Sequence, residues 1–135
     1  MTSPTLPMLE TYPRAINLDR SELAATIDAL IACSEACTEC ADACLSEGMV
    51  AELTTCIRTN MDCADVCATA ARVLSRHTGY DPNISRTLLD ACAVVCKACG
   101  DECSRHAHAH EHCRICADAC RACERACRDL RAALG

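Results

Sequence analysis

Sixteen of the 135 residues are cysteine, and their spacing is that of one face of an α-helix. In the segment from Cys92 to Cys103, successive cysteines lie four, three and four residues apart. Residues three and four apart lie on the same side of a helix, so these thiols form one stripe about three turns long. The segment therefore predicts a helix that presents a row of sulfur ligands to the elements packed against it.

The same spacing recurs three more times along the chain, so the sequence predicts four cysteine stripes. The second stripe has one member replaced, because Asn60 stands where its second cysteine would be. We predict that all sixteen cysteines are metal ligands: Cys33, Cys37, Cys40 and Cys44; Cys56, Cys63 and Cys67; Cys92, Cys96, Cys99 and Cys103; and Cys113, Cys116, Cys120, Cys123 and Cys127. Asn60 is a weak ligand for a soft metal and is predicted to be a hydrogen-bonded polar residue on the same face.

Each stripe also contains a short repeat with an aspartate between two cysteines. The repeats read C-A-D-A-C at 40–44, C-A-D-V-C at 63–67, C-G-D-E-C at 99–103 and C-A-D-A-C at 116–120. At 3.6 residues per turn the aspartate lies about 200° around the helix from the first cysteine. We therefore interpret these four carboxylates as solvated or interhelical charges and not as ligands.

Four helices are predicted to carry the stripes, over about residues 20–47, 50–76, 82–105 and 111–133. Asp19 with Glu22 fits a capping box, and Asp81 before Pro82 fits a helix start. Short connections between such helices predict an all-α, antiparallel up-down-up-down four-helix bundle with a cysteine-lined core. Residues 1–18 contain three prolines and no helical period, so we predict an extended N-terminal arm before a bundle domain at 19–135.

The antiparallel arrangement predicts two different ends of the bundle. One, the leucine end, collects Leu23, Leu30, Leu74, Leu88, Leu130 and Leu134. The other, the histidine end, collects Cys44, Met49, Cys103, His106, His108, His110, His112 and Cys113 and is predicted to be open, with little apolar cover. His106 and His110 are the histidines that best fit the inward face, and Met49 offers a thioether. These three residues are predicted to bind metal where it reaches the core.

Composition excludes several functions. The net charge of −6, without a basic run or interleaved aromatic residues, argues against nucleic acid as a partner. No apolar segment is long enough for a membrane span. The first residues lack a positive region followed by an apolar one, so we expect a cytoplasmic protein. In a reducing compartment many cysteines indicate metal or redox chemistry more often than disulfides.

Thiolate-only sites select Cu(I), Zn(II) or iron–sulfur clusters. The cysteines lie within continuous helices, unlike the turn-borne pairs of structural zinc or the loops of ferredoxins. One Cu(I) per thiolate would leave a core near neutrality, whereas four zinc ions would leave roughly −8, a costly charge to bury. A zinc or mixed-metal buffer and a disulfide-linked hairpin are the weaker alternatives. No isolated C-x-x-C motif at a helix start indicates a thiol enzyme, so no enzymatic activity is predicted.

The striped helices, the repeated C-x₃-C-x₂-C-x₃-C spacing and the C-A-D-x-C signature resemble the bacterial four-helix-bundle copper storage proteins over about residues 20–134. The absence of an export signal resembles their cytosolic branch. This resemblance implies storage and detoxification of many Cu(I) ions per chain, copper access at the histidine end and assembly into a homotetramer. A copper chaperone or chelator would be a transient partner. Asn60 departs from the stripe and puts a site near Cys56 and Cys63 in doubt.

Overall fold

The computed structural model describes residues 3–135, and the elements within that range are all helical. Five α-helices and one 3₁₀ turn follow one another along the chain: α1 Thr5–Glu10, α2 Arg20–Leu45, the 3₁₀ turn Val50–Glu52, α3 Thr54–Leu74, α4 Pro82–His106 and α5 Glu111–Leu134. Helices α2 to α5 are the four long helices expected from the stripes. They pack in a ring in which α2 contacts α3 and α5, and α4 contacts α3 and α5. The predicted four-helix bundle is confirmed.

Two of the long helices begin where local chemistry predicts. The Asp19 side chain accepts a hydrogen bond from the backbone N–H of Glu22 at 2.9 Å, which satisfies one free donor of the first turn of α2. Asp81 does the same for Asn83 at 2.8 Å, and Pro82 occupies the first turn of α4. The connection between α2 and α3 is longer than predicted, because α2 ends at Leu45 and α3 starts only after the 3₁₀ turn.

The N-terminal arm differs from the extended segment that was predicted. Residues 5–10 form α1, and Pro7 is tolerated because it lies in the first turn, where a missing N–H breaks no helical hydrogen bond. Leu9 is buried in the bundle core, and Thr5 Oγ1 donates to Asp28 Oδ1 at 2.7 Å. The prolines therefore permit a short helix that packs on α2 of its own chain.

The leucine end is closed by apolar side chains, with one change from the prediction. Leu89 is fully buried, whereas Leu88 is only half-buried. The reason is that the cysteine face of α4 continues backwards from Cys92 through Leu89 to Ser85, which is also buried. The spacing of three and four permits either leucine, and packing against the other helices selects Leu89.

The repeated aspartates face away from the sulfur core, as predicted. Asp101 accepts from Lys97 at 2.8 Å and from Arg121 of the adjacent helix at 2.7 Å, and Asp118 pairs with Arg114 at 2.9 Å. These partly exposed pairs each contribute little to stability. None of the described helices combines the length and the apolarity that a bilayer crossing requires.

Candidate metal centre

All sixteen cysteines are free thiols with their side chains inside the bundle. None is more than 2% exposed. Leu23, Leu30, Leu89 and Leu130 fill the leucine end, and cysteine fills most of the remaining interior. Free cysteine packs as a small hydrophobe, so this core excludes water while consisting largely of potential ligands.

Thiols from different helices lie in contact across the core. The Sγ atoms of Cys67 on α3 and Cys96 on α4 are 3.6 Å apart. Those of Cys37 on α2 lie 3.7 Å from Cys120 on α5 and 3.8 Å from Cys99 on α4. A single ion placed between such sulfurs would bind two helices together.

The thiols form four-sulfur groups whose ligand atoms all lie within 4.8 Å of one another. Neighbouring groups share members, since Cys33 belongs to two of them and Cys37 also belongs to two. Three of these groups are Cys33, Cys63, Cys67 and Cys96; Cys33, Cys37, Cys63 and Cys120; and Cys37, Cys99, Cys116 and Cys120. A shared cysteine can bridge two ions, so the groups are candidate sites that overlap along the bundle.

Asn60 replaces a cysteine in the stripe of α3, and its amide makes polar contacts with the surrounding thiols. Its side chain is fully buried, and its Oδ1 accepts from the thiols of Cys99 at 2.9 Å, Cys116 at 3.2 Å and Cys103 at 3.3 Å. Its Nδ2 donates to Cys56 Sγ at 3.6 Å. The prediction of a hydrogen-bonded polar residue is confirmed. The geometry also places an amide oxygen where three thiols converge.

The histidine end brings His112 to the sulfurs, a residue that sequence reasoning did not select. Its Nδ1 lies 3.3 Å from Cys40 Sγ and 3.6 Å from Cys113 Sγ, and the three residues form a group with Cys44. The spacing does indicate this contact, because His112 lies four residues before Cys116 and therefore on the same face of the helix.

The three residues predicted to accompany the cysteines at this end make other contacts or face solvent, and their binding of metal stays a prediction. His106 Nε2 pairs with Glu102 at 3.3 Å, and His110 Nδ1 pairs with Glu47 at 2.9 Å. Met49 is 55% exposed at the start of the 3₁₀ turn. The end is also less open than predicted, because Leu53 is buried one turn before Cys56.

Burial keeps the thiols of Cys44 and Cys113 protonated in the absence of metal. It raises the pKa of Cys44 to about 11 and raises the pKa of Cys113 as well, because a thiolate would lose its hydration. Burial alone would lower the pKa of His112, but its hydrogen bonds to Cys40 and Glu47 raise it. The hydrogen bond from His112 lowers the pKa of Glu47. A metal that binds Cys44 or Cys113 must therefore displace a thiol proton.

Comparison with known proteins places this arrangement in a family. The family model of the copper storage proteins (Csp) matches residues 19–132. The cysteine-rich protein YhjQ of Bacillus subtilis is 39% identical over 108 residues, which are 80% of this chain and 94% of that protein.

Two solved structures are similar throughout the bundle. The copper storage protein Ccsp from Streptomyces lividans, loaded with 10 copper equivalents, is 61% identical with a TM-score of 0.92, covering 95% of this chain and 98% of that one. The Cu(I)-bound copper storage protein BsCsp3 of Bacillus subtilis is 38% identical with a TM-score of 0.72, covering 80% and 96%. With its four-helix bundle and thiol core, this chain belongs to the copper storage protein family.

Proposed function

We propose that this protein stores many Cu(I) ions along the core of its bundle, bound by cysteine thiolates, and so protects the cell from free copper. The observation that carries this proposal is the charge of the core. Sixteen buried thiols lie together, and the only buried polar or charged residues in the part of the chain that the structure describes are Thr26, Asn60, Ser85 and Glu102. No lysine or arginine in that part is buried to neutralise thiolates, so the bound metal must supply the positive charge.

Monovalent copper fits this requirement best. One Cu(I) per thiolate leaves the core near neutrality, whereas four Zn(II) ions would leave roughly −8 in a medium of low dielectric constant. Each thiol gives up its proton as it binds, so loading neither adds nor removes net charge. The overlapping four-sulfur groups allow thiolates to bridge neighbouring ions, which makes a capacity near one ion per cysteine reasonable.

Loading also strengthens the fold. Cysteine side chains bury less apolar area than leucine or phenylalanine, so the empty bundle gains modestly from the hydrophobic effect. An ion bound between Cys67 and Cys96, or between Cys37 and Cys120, would link two helices. A ligand that binds only the folded state stabilises that state, and the gain grows with the logarithm of the free ligand concentration divided by Kd.

We further propose a cytoplasmic location, a homotetrameric assembly and no catalytic activity. The location is supported by the Streptomyces lividans relative, which is described as a cytosolic copper storage protein. The tetramer is taken from the resemblance to the family, and a copper chaperone or chelator would deliver or remove the ions. Storage requires ions that are held and released without turnover. Sedimentation of the empty and loaded protein would test the assembly.

Titration of the reduced, metal-free protein with Cu(I), in competition with a chromophoric chelator of known affinity, tests the function. We expect saturation at about one Cu(I) per cysteine, with zinc unable to displace the bound copper. Saturation near four ions, or preferential binding of zinc, would overturn the proposal. Cys37→Ala should lower the capacity, because this cysteine belongs to two of the four-sulfur groups. The matched surface variant Asp42→Asn, on the same helix, should leave the capacity unchanged.

A further inference from the structure

Next to the histidine end, the sulfur core also approaches the surface on the side of the bundle. A groove of about 480 Å³ lies between α2 and α5. Its lining includes Cys40 and Cys116 together with His112, and its other residues include Ala36, Glu35 and Glu39. The groove therefore borders two core cysteines from the side of the bundle and not along its axis.

The exposures of the cysteines agree with this position of the groove. Among the sixteen, fourteen have no accessible surface, including Cys44 and Cys113 at the histidine end. Only Cys40, at 2%, and Cys116, at 1%, have any, and both line the groove. At the histidine end Leu53 is buried, and Glu47 pairs with His110 and His112.

A neighbouring groove shows that this property is not general. Between α2 and α3 lies an opening of about 430 Å³ that is lined by residues such as Ala68, Arg72 and Arg76 and by no cysteine. The two grooves have similar size and share Glu35, but only the α2–α5 groove is lined by core cysteines, so the α2–α3 groove is a control for access to the core.

We propose that the α2–α5 groove is a lateral port through which Cu(I) passes between small thiol carriers and the core. This inference rests on the proposed copper storage function and adds a route to it. The volume lies within the range of about 300–1,000 Å³ that is usual for small-molecule sites. Glu35 and Glu39 give its lining negative charge, so a neutral carrier is favoured over an anionic one.

The transfer at this port is a ligand exchange without a change in oxidation state. The Cu–S bond to the carrier breaks while a Cu–S bond to Cys40 forms. The proton of the Cys40 thiol passes to the freed carrier thiolate. Cys113 Sγ lies 3.9 Å from Cys40 Sγ, and Cys37 Sγ lies 3.7 Å from Cys116 Sγ, so each groove cysteine has a neighbouring thiol to which the ion can move.

Stopped-flow uptake of Cu(I) from its dithiothreitol complex tests the port. Ala36→Leu places a larger side chain in the groove, and we expect it to slow uptake about tenfold, or about 1.4 kcal/mol in the barrier, with unchanged final capacity. Ala68→Leu fills the control groove from an equally half-buried position and should leave the rate unchanged. Equal rates in the wild type and Ala36→Leu would overturn the port, and so would equal slowing by both substitutions.

A charge test covers the case in which Ala36→Leu does not fold. Glu35→Gln with Glu39→Gln should accelerate uptake from an anionic complex, Cu(I) with 3-mercaptopropionate, about threefold at low salt, and the gain should shrink as salt rises. The exposed pair Glu52→Gln with Asp62→Asn is the control and should have no comparable effect. Equal acceleration by both pairs, or none by either, would refute the port. Failure of the storage function would instead appear as low capacity in the wild type, whatever the rates.

Discussion

Asn60 offers a sharp test of how the metal-free core is held together. It is the polar residue at the centre of the sulfur-lined interior, and its amide makes four contacts with thiols: Oδ1 with Cys99, Cys103 and Cys116, and Nδ2 with Cys56. Asn60→Ala removes all four contacts and leaves a cavity. Asn60→Leu removes the contacts but fills the space.

The size of the effect follows from these contacts. Four weak hydrogen bonds at about 0.5 kcal/mol each, the low end of the net range, give about 2 kcal/mol. A cavity of about 30 Å³ at about 24 cal/mol per Å³ adds about 0.7 kcal/mol for the alanine variant. The unfolding entropy of 135 residues, at about 2.1 cal/mol/K each, converts a loss near 3 kcal/mol into a Tm about 10 °C lower.

Calorimetry or circular dichroism of the reduced metal-free protein, with urea unfolding alongside, measures the loss. Asn60→Leu should lose about 2 kcal/mol, because its cost is that of the four lost amide–thiol hydrogen bonds. Arg58→Ala, which removes an exposed ion pair on the same helix, should change stability by less than about 0.5 kcal/mol. A leucine variant as stable as the wild type would refute the assignment of stability to the amide–thiol contacts.

Two further predictions concern the leucine end. Leu89→Ala should lower the free energy of unfolding by about 2–5 kcal/mol, and Leu88→Ala should lower it by much less, because only Leu89 is fully buried. Urea unfolding measures both losses, and equal losses would contradict the packing of α4. Burial, with a smaller contribution from Arg20, lowers the pKa of His77 below its usual 6.5. The unfolded chain therefore binds a proton more readily than the folded protein, so the free energy of unfolding falls as the pH drops below about 6.5. His77→Asn should reduce the slope of Tm against pH between about 5 and 6.5, whereas parallel curves would refute the role of this side chain.

Much of the fold could be predicted because spacing alone encodes it. Cysteines three and four residues apart specify which side of each helix is buried, and the capping residues Asp19 and Asp81 specify where two helices begin. The direction of the repeated aspartates follows from the same helical geometry. These properties depend on neighbours within one helix, so no knowledge of the other helices was needed.

The errors arose where two positions were equally acceptable locally. Leu88 and Leu89 both continue the stripe of α4, and packing against the other helices selects Leu89. His112 shares the face of Cys116 and contacts Cys40, but it was not selected; metal binding by His106 and His110, which pair with carboxylates, stays a prediction. Proline in the arm argued against helix, although Pro7 lies in a first turn that tolerates it.

The sequence by itself determined that four stripes of thiols face a common interior, because helical period fixes the direction of each side chain. Only the tertiary structure decided which thiols are neighbours, since contacts such as that of Cys33 with Cys63 join residues on separate helices. It also decided that Asn60 reaches three thiols on α4 and α5, and that Cys40 and Cys116 line a groove at the surface. Distances between helices depend on how side chains fill the space between them, and one-dimensional spacing does not contain that information.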